Sequence, residues 1–181
     1  NTITTAVPFL LICPDSRAGG MGEVGVSTSP DVNSNHWNVA KLPFSSNTGG
    51  IGISYTPWLR SLVPDISLAY LSGFKKLKND QTISGSLRYF SLGNITFTDV
   101  VGNVTGQFNP NEFAIDIAYA RKLGEEISGG LTLRYINSNL TGGIEVQGAQ
   151  TRAGQAVAAD LGVYWLHESE VAGKDATITV G

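Results

Sequence analysis

The sequence holds little of what catalytic and metal sites are usually built from. It has one cysteine, Cys13, and two histidines, His36 and His167. A lone thiol forms no disulfide within the chain and no thiolate metal cluster. Cys13 sits among apolar residues with no basic partner nearby, which predicts a buried structural thiol rather than a nucleophile. The histidines are far apart and lack Cys or carboxylate neighbours at ligand spacing, and no G-x-S-x-G elbow is present. No catalytic residue, cofactor site or metal site is therefore predicted. Charge is scarce too, at 15% of residues against roughly 25% in average globular chains. Yet no long apolar run takes its place. The longest, Val7 to Cys13, is broken by Pro8 and falls well short of the ~20 residues of a spanning helix. Lys and Arg are scattered and the net charge is −3, so no nucleic-acid surface is expected. The chain opens at Asn1 without Met or a leader, which fits a mature chain freed of its signal peptide.

What the sequence does have is period two. From Glu112 to Arg121 the odd positions are Phe113, Ile115, Ile117 and Tyr119, and the even ones are Ala114, Asp116, Ala118 and Ala120. Ile127 to Asn137 sets Ile127, Leu131, Leu133 and Tyr135 against Ser128, Gly130, Thr132 and Arg134. Gln155 to His167 sets Val157, Ala159, Leu161, Val163 and Trp165 against Ala158, Asp160, Gly162 and Tyr164. Ile51, Ile53 and Tyr55 alternate with Gly52, Ser54 and Thr56, and Ile66, Leu68 and Tyr70 with Ser67 and Ala69. Ile178 and Val180 close the series against Thr177 and Thr179. Successive side chains of a strand leave opposite faces of the pleat, so this alternation predicts strands, about seven in all. Parity is unbroken from Thr82 to Asp99, and one long strand with a small-residue bend is expected there.

The composition of the two faces points to lipid. A half-buried soluble sheet turns Lys, Glu, Gln and Thr to water. Here the less apolar face carries Ala, Gly, Ser and Thr with single charges, and the other carries Ile, Leu, Val and Phe. Tyr119, Tyr135 and Trp165 fall towards strand ends, as an interfacial aromatic girdle requires. A transmembrane antiparallel β-barrel is predicted over residues 48–181. Short connections at Gly73 to Gln81, Lys122 to Glu126 and 168–174 predict the periplasmic side. Longer ones near 57–64, 100–110 and 139–154 predict the outer side. Residues 1–47 lack alternation and include a helix-like run from Ser34 to Leu42 ending at Pro43. They are expected to form a plug within the lumen.

Gly20-Met21-Gly22-Glu23-Val24-Gly25 matches G-x-G-x-x-G, but Val26-Ser27-Thr28-Ser29-Pro30 is a poor helix start, so no dinucleotide site is predicted. Asn94-Ile95-Thr96, Asn103-Val104-Thr105 and Asn139-Leu140-Thr141 match the glycosylation acceptor and are read as strand and loop composition. The strand-interior charges form the one constellation of interest. Arg88, Asp116, Arg134 and Asp160 lie on even positions of four successive strands with alternating sign. Neighbours at equal height attract, so a lumenal Arg–Asp–Arg–Asp ladder is expected. It would brace the wall or, alternatively, line a polar conduction path.

Long blocks carry a family resemblance. They are Ile3-Thr4-Thr5-Ala6-Val7-Pro8-Phe9-Leu10, Pro14-Asp15-Ser16-Arg17-Ala18-Gly19-Gly20-Met21-Gly22 and Ser29-Pro30-Asp31-Val32-Asn33-Ser34. His36-Trp37-Asn38-Val39-Ala40-Lys41, Ser54-Tyr55-Thr56-Pro57-Trp58-Leu59-Arg60, Asp65 to Leu71, Gly85 to Ser91 and Asn111-Glu112-Phe113-Ala114 extend them. On these blocks the chain resembles the PorV (LptO) family, outer-membrane proteins of the type IX secretion system of the Bacteroidota, within the FadL-like barrels. The resemblance implies a barrel of roughly fourteen strands, of which this chain covers the first half. It marks Asp15, Arg17, Trp37 and Asn38 as the plug motif. It also implies a non-enzymatic role: cargo is received by its C-terminal signal domain at an SprA-type translocon and carried to a PorU-type sortase and attachment complex. The partners implied are that translocon, that complex, the cargo and outer-membrane lipid. The alternative is a FadL-like channel for a hydrophobic small molecule.

Overall fold

The computed structural model describes residues 7–57, 65–142, 145–146, 149–150, 152–171 and 173–181. The alternating segments become β1 (Gly49–Pro57), β2 (Ile66–Lys76) and β3 (Gln81–Leu92). A small hairpin follows, β4 (Ile95–Thr98) with β5 (Val104–Phe108). Then come β6 (Asn111–Lys122), β7 (Ile127–Asn139), a minimal pair β8 (Glu145–Val146) and β9 (Ala149–Gln150), and finally β10 (Gly154–Val171) and β11 (Lys174–Val180). Seven of them form one sheet in the order β1-β2-β3-β6-β7-β10-β11, with every described neighbour pair antiparallel, and it curls as half of a barrel. No helix among the described residues is long and apolar enough to cross a membrane.

Turn chemistry sets the register of β2 on β3. Asn79 and Asp80 both take positive φ, at 61° and 57°, the pair of left-handed residues that a tight hairpin needs and that Asn and Asp tolerate best. The register then carries one row of residues across the sheet. Ile51 faces Gly73, Gly73 faces Gly85, Gly85 faces Ile117, and Ile117 faces Leu133. These odd positions point outward. Ile53, Ile117, Leu133 and Leu161 are all exposed, at 82%, 70%, 53% and 86%. An apolar face of that extent in water would be an aggregation surface; facing acyl chains it is at equilibrium.

The inner face is covered by the first part of the chain. Residues 7–44 hold a 3-10 turn at Pro8–Leu11, α1 (Ser16–Gly20), α2 (Ser34–Trp37) and a second 3-10 turn at Val39–Phe44. Asp15 caps α1 through the Ala18 amide at 2.7 Å, satisfying a donor left free at a helix start. Two apolar clusters bind this segment to the sheet. Phe9 packs with Leu68, Phe90, Ala114 and Ile136, and Val39 and Leu42 pack with Phe74, Ala118 and Ala120. Each fully buried Phe or Leu among them contributes about 1.5–3 kcal/mol.

The small residues of the inner face follow from this packing. A Cβ on Gly130 would meet Val39 and, at 3.0 Å, the Ala40 nitrogen, and one on Gly162 would meet the Asn38 Oδ1 at 2.5 Å. Gly130 and Gly162 face each other across β7 and β10. The second 3-10 turn comes this close to the sheet because those two positions have no side chain.

Several expectations are corrected. Thr82 to Asp99 is not one strand: β3 ends at Leu92, Gly93 takes φ 84°, and β4 turns away to pair only with β5. The Asp65 carboxylate stands where a Gly93 Cβ would go and accepts the Asn94 amide at 2.7 Å, which holds the break. Parity survived because two residues, 93 and 94, separate the strands. The connection expected over 100–110 thus holds β5, and that over 139–154 holds β8 and β9. The short connections are shorter still, since β2 runs on to Lys76 and β10 to Val171. Ile66, Leu68 and Tyr70 do not join the outward apolar face; Leu68 and Tyr70 are buried against the N-terminal segment. The run Ser34 to Leu42 splits at Asn38, and its 3-10 part passes through Pro43. Cys13 is only partly buried, its thiol donating to the Asp15 carbonyl at 3.2 Å.

Candidate functional site

Polar chemistry gathers where the N-terminal segment meets β3, β6, β7 and β10. Asp116 on β6 and Arg134 on β7 face each other in register. The Arg134 Nε donates to the Asp116 Oδ1 at 2.7 Å and its Nη2 to the Oδ2 at 3.3 Å. Two parallel contacts on a planar guanidinium make the stronger kind of ion pair, and both side chains are largely shielded. Arg134 also reaches Asp160 on β10 at 3.4 Å, but that carboxylate is 57% exposed. Exposure leaves this second contact little weight.

Arg88 stands apart from the ladder expected of it. In register it faces Ala114, while Ser86 faces Asp116. Arg88 turns instead to the N-terminal segment. It donates to the Leu10 carbonyl at 2.7 Å, to that of Phe9 at 3.3 Å, and to the His36 Nδ1 at 2.6 Å. It also lies 5.5 Å from the centroid of the Tyr70 ring. A guanidinium has no acceptor, so His36 Nδ1 is the acceptor and the proton sits on Nε2. Burial, and then the charges of Arg88 and Arg134, push the His36 pKa down to about 3. The ring is neutral over the ordinary pH range.

The other sequence-marked residues organise the segment itself. The Trp37 indole nitrogen donates to Asp15 at 3.0 Å, which ties α2 to the cap of α1. Arg17 donates to Asp31 at 2.9 Å and to the Ser29 hydroxyl at 2.7 Å. Asn38 caps the second 3-10 turn through the Ala40 amide and reaches the Val163 carbonyl on β10 at 2.9 Å. Sequence reasoning missed Asn35, Ser86 and Lys41. Asn35 donates to Ser86, which donates to Asp116 at 3.0 Å, so the segment joins the Asp116–Arg134 pair through a hydroxyl. Lys41 is buried and donates to the Gly25 carbonyl at 2.5 Å and to Thr28 at 3.2 Å; burial pushes its pKa down to about 8. Asn35 and Ser86 are small polar residues that carry no signal until the strands are in register.

Further ties run the length of the wall. Ser128 bonds the Ala40 carbonyl, Lys76 that of Ser45 at 2.8 Å, and Thr179 on β11 that of Ser27 at 2.7 Å. A cavity of about 430 Å³ remains between α2, β7 and β10, lined by His36, Asn38, Thr132, Arg134, Asp160 and Gly162 among others. Its lining is mixed, with Val26, Trp37, Val39, Leu161 and Val163 beside the polar groups. The arrangement holds a segment of chain against the inside of a wall.

A search of curated proteins found no match. A family model described as "Type IX secretion system protein PorV" matches residues 1–176, nearly the whole chain. The curled sheet with an apolar outer face fits an outer-membrane protein of such a system. The chain therefore belongs to the family of type IX secretion system protein PorV, and its work lies in that secretion system.

Proposed function

We propose that this chain is part of a non-enzymatic outer-membrane carrier. It takes secreted cargo by its C-terminal signal domain from an SprA-type translocon and delivers it to a PorU-type sortase and attachment complex. The observation that carries the reading is the family match over residues 1–176. On this reading residues 48–181 are the first half of a FadL-like barrel of roughly fourteen strands, and residues 1–47 are its plug. Arg88, Asp116, Arg134 and Asp160, with Asp15, Arg17, Trp37 and Asn38, hold plug and wall together. Polar ties from Phe9, Leu10, Asn35 and Ala40 to the sheet support a bracing role for these charges.

The side opposite the short turns is the contact surface for partners. It includes the connections near 100–110 and 139–154; that near 57–64 lies outside the described residues. The β4–β5 hairpin supports this, since it ends in the exposed pair Val100 and Val101, and Asp99 rigidifies its tip by accepting from Val101 and Asn103. Affinity purification of the native protein with mass spectrometry of what accompanies it tests the proposal. Translocon subunits and cargo bearing the signal domain are expected, and recovery of neither overturns it.

A further inference from the structure

The outward face of β2 and β3 is not uniformly studded with large side chains. Gly73 and Gly85 lie directly opposite each other in the ladder. Ile51 rises on one side of the pair, and Ile117 and Leu133 rise on the other. The resulting depression has a volume of about 570 Å³. A second hollow of about 320 Å³ adjoins it on the far side of the glycine pair, bounded by Leu71 and Leu87, which face each other in the ladder. A third, of about 140 Å³, lies over Ala69 beside Tyr89. Together they make a row of hollows along β2 from Lys75 to Ala69, crossed once by the Leu71–Leu87 pair. Six residues of strand span about 20 Å, and at a tilt near 40° that is about 15 Å along the membrane normal. Half of a hydrocarbon core about 30 Å thick has the same depth.

Charge marks one end of this row. Lys75 is exposed on its lining and makes no hydrogen bond or ion pair among the described residues. Arg121 is the other outward charge on β2, β3 and β6, one outward position beyond Tyr119, and no outward carboxylate stands on those strands. Both cations lie at the end with the short turns, residues 77–80 and 123–126. Outer-membrane barrels turn that end to the periplasm, where the leaflet is built of phosphodiester lipids.

We propose that the outer face of β2 and β3 seats one glycerophospholipid of the periplasmic leaflet, with an acyl chain over Gly73 and Gly85 and its phosphate at Lys75. The inference rests on the outward face meeting lipid, but not on the cargo reading. An acyl chain gains contact in these hollows that it lacks against a wall of tall side chains. Lys75 adds attraction for an anionic headgroup at the depth where the headgroup lies.

The two glycines differ as test positions. A Cβ on Gly73 would meet the Gly50 carbonyl oxygen at 3.2 Å, whereas one on Gly85 has the Asp116 carbonyl oxygen at 3.4 Å as its nearest neighbour. Gly85→Val therefore fills the hollow at the glycine pair with little disturbance of the sheet. The experiment is native mass spectrometry of the full chain released from micelles holding phosphatidylglycerol and phosphatidylcholine with identical chains. The unchanged protein is expected to keep one phosphatidylglycerol in preference. Gly85→Val should lose the bound lipid. Lys75→Gln should keep a lipid but lose about fivefold in preference for the anionic one, the attraction of a single lysine near an anionic surface. A Gly85→Val protein that retains lipid as before overturns the site, as does an unchanged preference in Lys75→Gln. Displacement of the phospholipid by lipid A would assign the hollows to the other leaflet and overturn the proposal equally.

Discussion

At the scale of single residues, Arg88 is the side chain on which most converges. It is 4% exposed and spans from the wall to three backbone carbonyls and a histidine. Arg88→Met leaves those acceptors buried and unpaired, and a loss of about 1–3 kcal/mol is expected from denaturant unfolding in micelles. Proteolysis should then cut within residues 7–44, which the unchanged protein protects. His36 adds a pH dependence with a defined sign. Its pKa falls from 6.5 when free to about 3 when folded, chiefly by burial. The folded state binds fewer protons than the unfolded between those values, so stability is lost as pH drops from 6.5 through about 3. His36→Gln, which still offers Arg88 an acceptor, should flatten that decline in unfolding midpoints measured across the range. Arg88 was legible in the sequence as an inward charge. Its partner was not, because His36 lies in a segment whose path along the inner face no periodicity encodes.

Among the elements, the strands were readable where alternation met short turns, and less so where it met long ones. β6 and β7 are joined by residues 123–126, so counting from the turn gives Asp116 opposite Arg134. β3 and β6 are separated by residues 93–110, including the β4–β5 hairpin, and nothing in that excursion fixes which residue of β6 meets Arg88. The height is off by two residues, which moves Arg88 from Asp116 to Ala114 while keeping both on the inner face. Double-mutant cycles should show the difference. Asp116 with Arg134 should couple by about 1–3 kcal/mol, as a shielded bidentate pair. Arg134 with Asp160 should give less than about 1 kcal/mol, given the exposure of Asp160. Arg88 with Asp116 should be additive to within about 0.5 kcal/mol. A large third coupling would mean that the four charges act as one ladder after all.

For the whole molecule, the two faces set what the wall tolerates. Ile115 points outward near the middle of β6, and Leu123 sits exposed in the turn after it. Ile115→Arg should cost about 2–4 kcal/mol on folding into lipid vesicles, and Leu123→Arg about 0–1 kcal/mol. Equal costs would mean that the outward face does not meet hydrocarbon. The fold class was open to sequence reasoning because alternation is local. The pairing of glycines across β7 and β10 was not, since its cause is the close approach of Ala40 from elsewhere in the chain. The tie from Thr179 to the Ser27 carbonyl, across 152 positions, has a consequence for assembly. Residues near Ser27 have no complete seat until β11, far along the chain, is in place. Their docking is a late event with a high entropic cost of closure. During folding the segment acts as a gauge: a strand slipped by one residue turns its inner set outward, and the segment then finds anchors missing. Final burial of Trp37 should thus report on a correctly threaded wall and trail the appearance of strand signal in time.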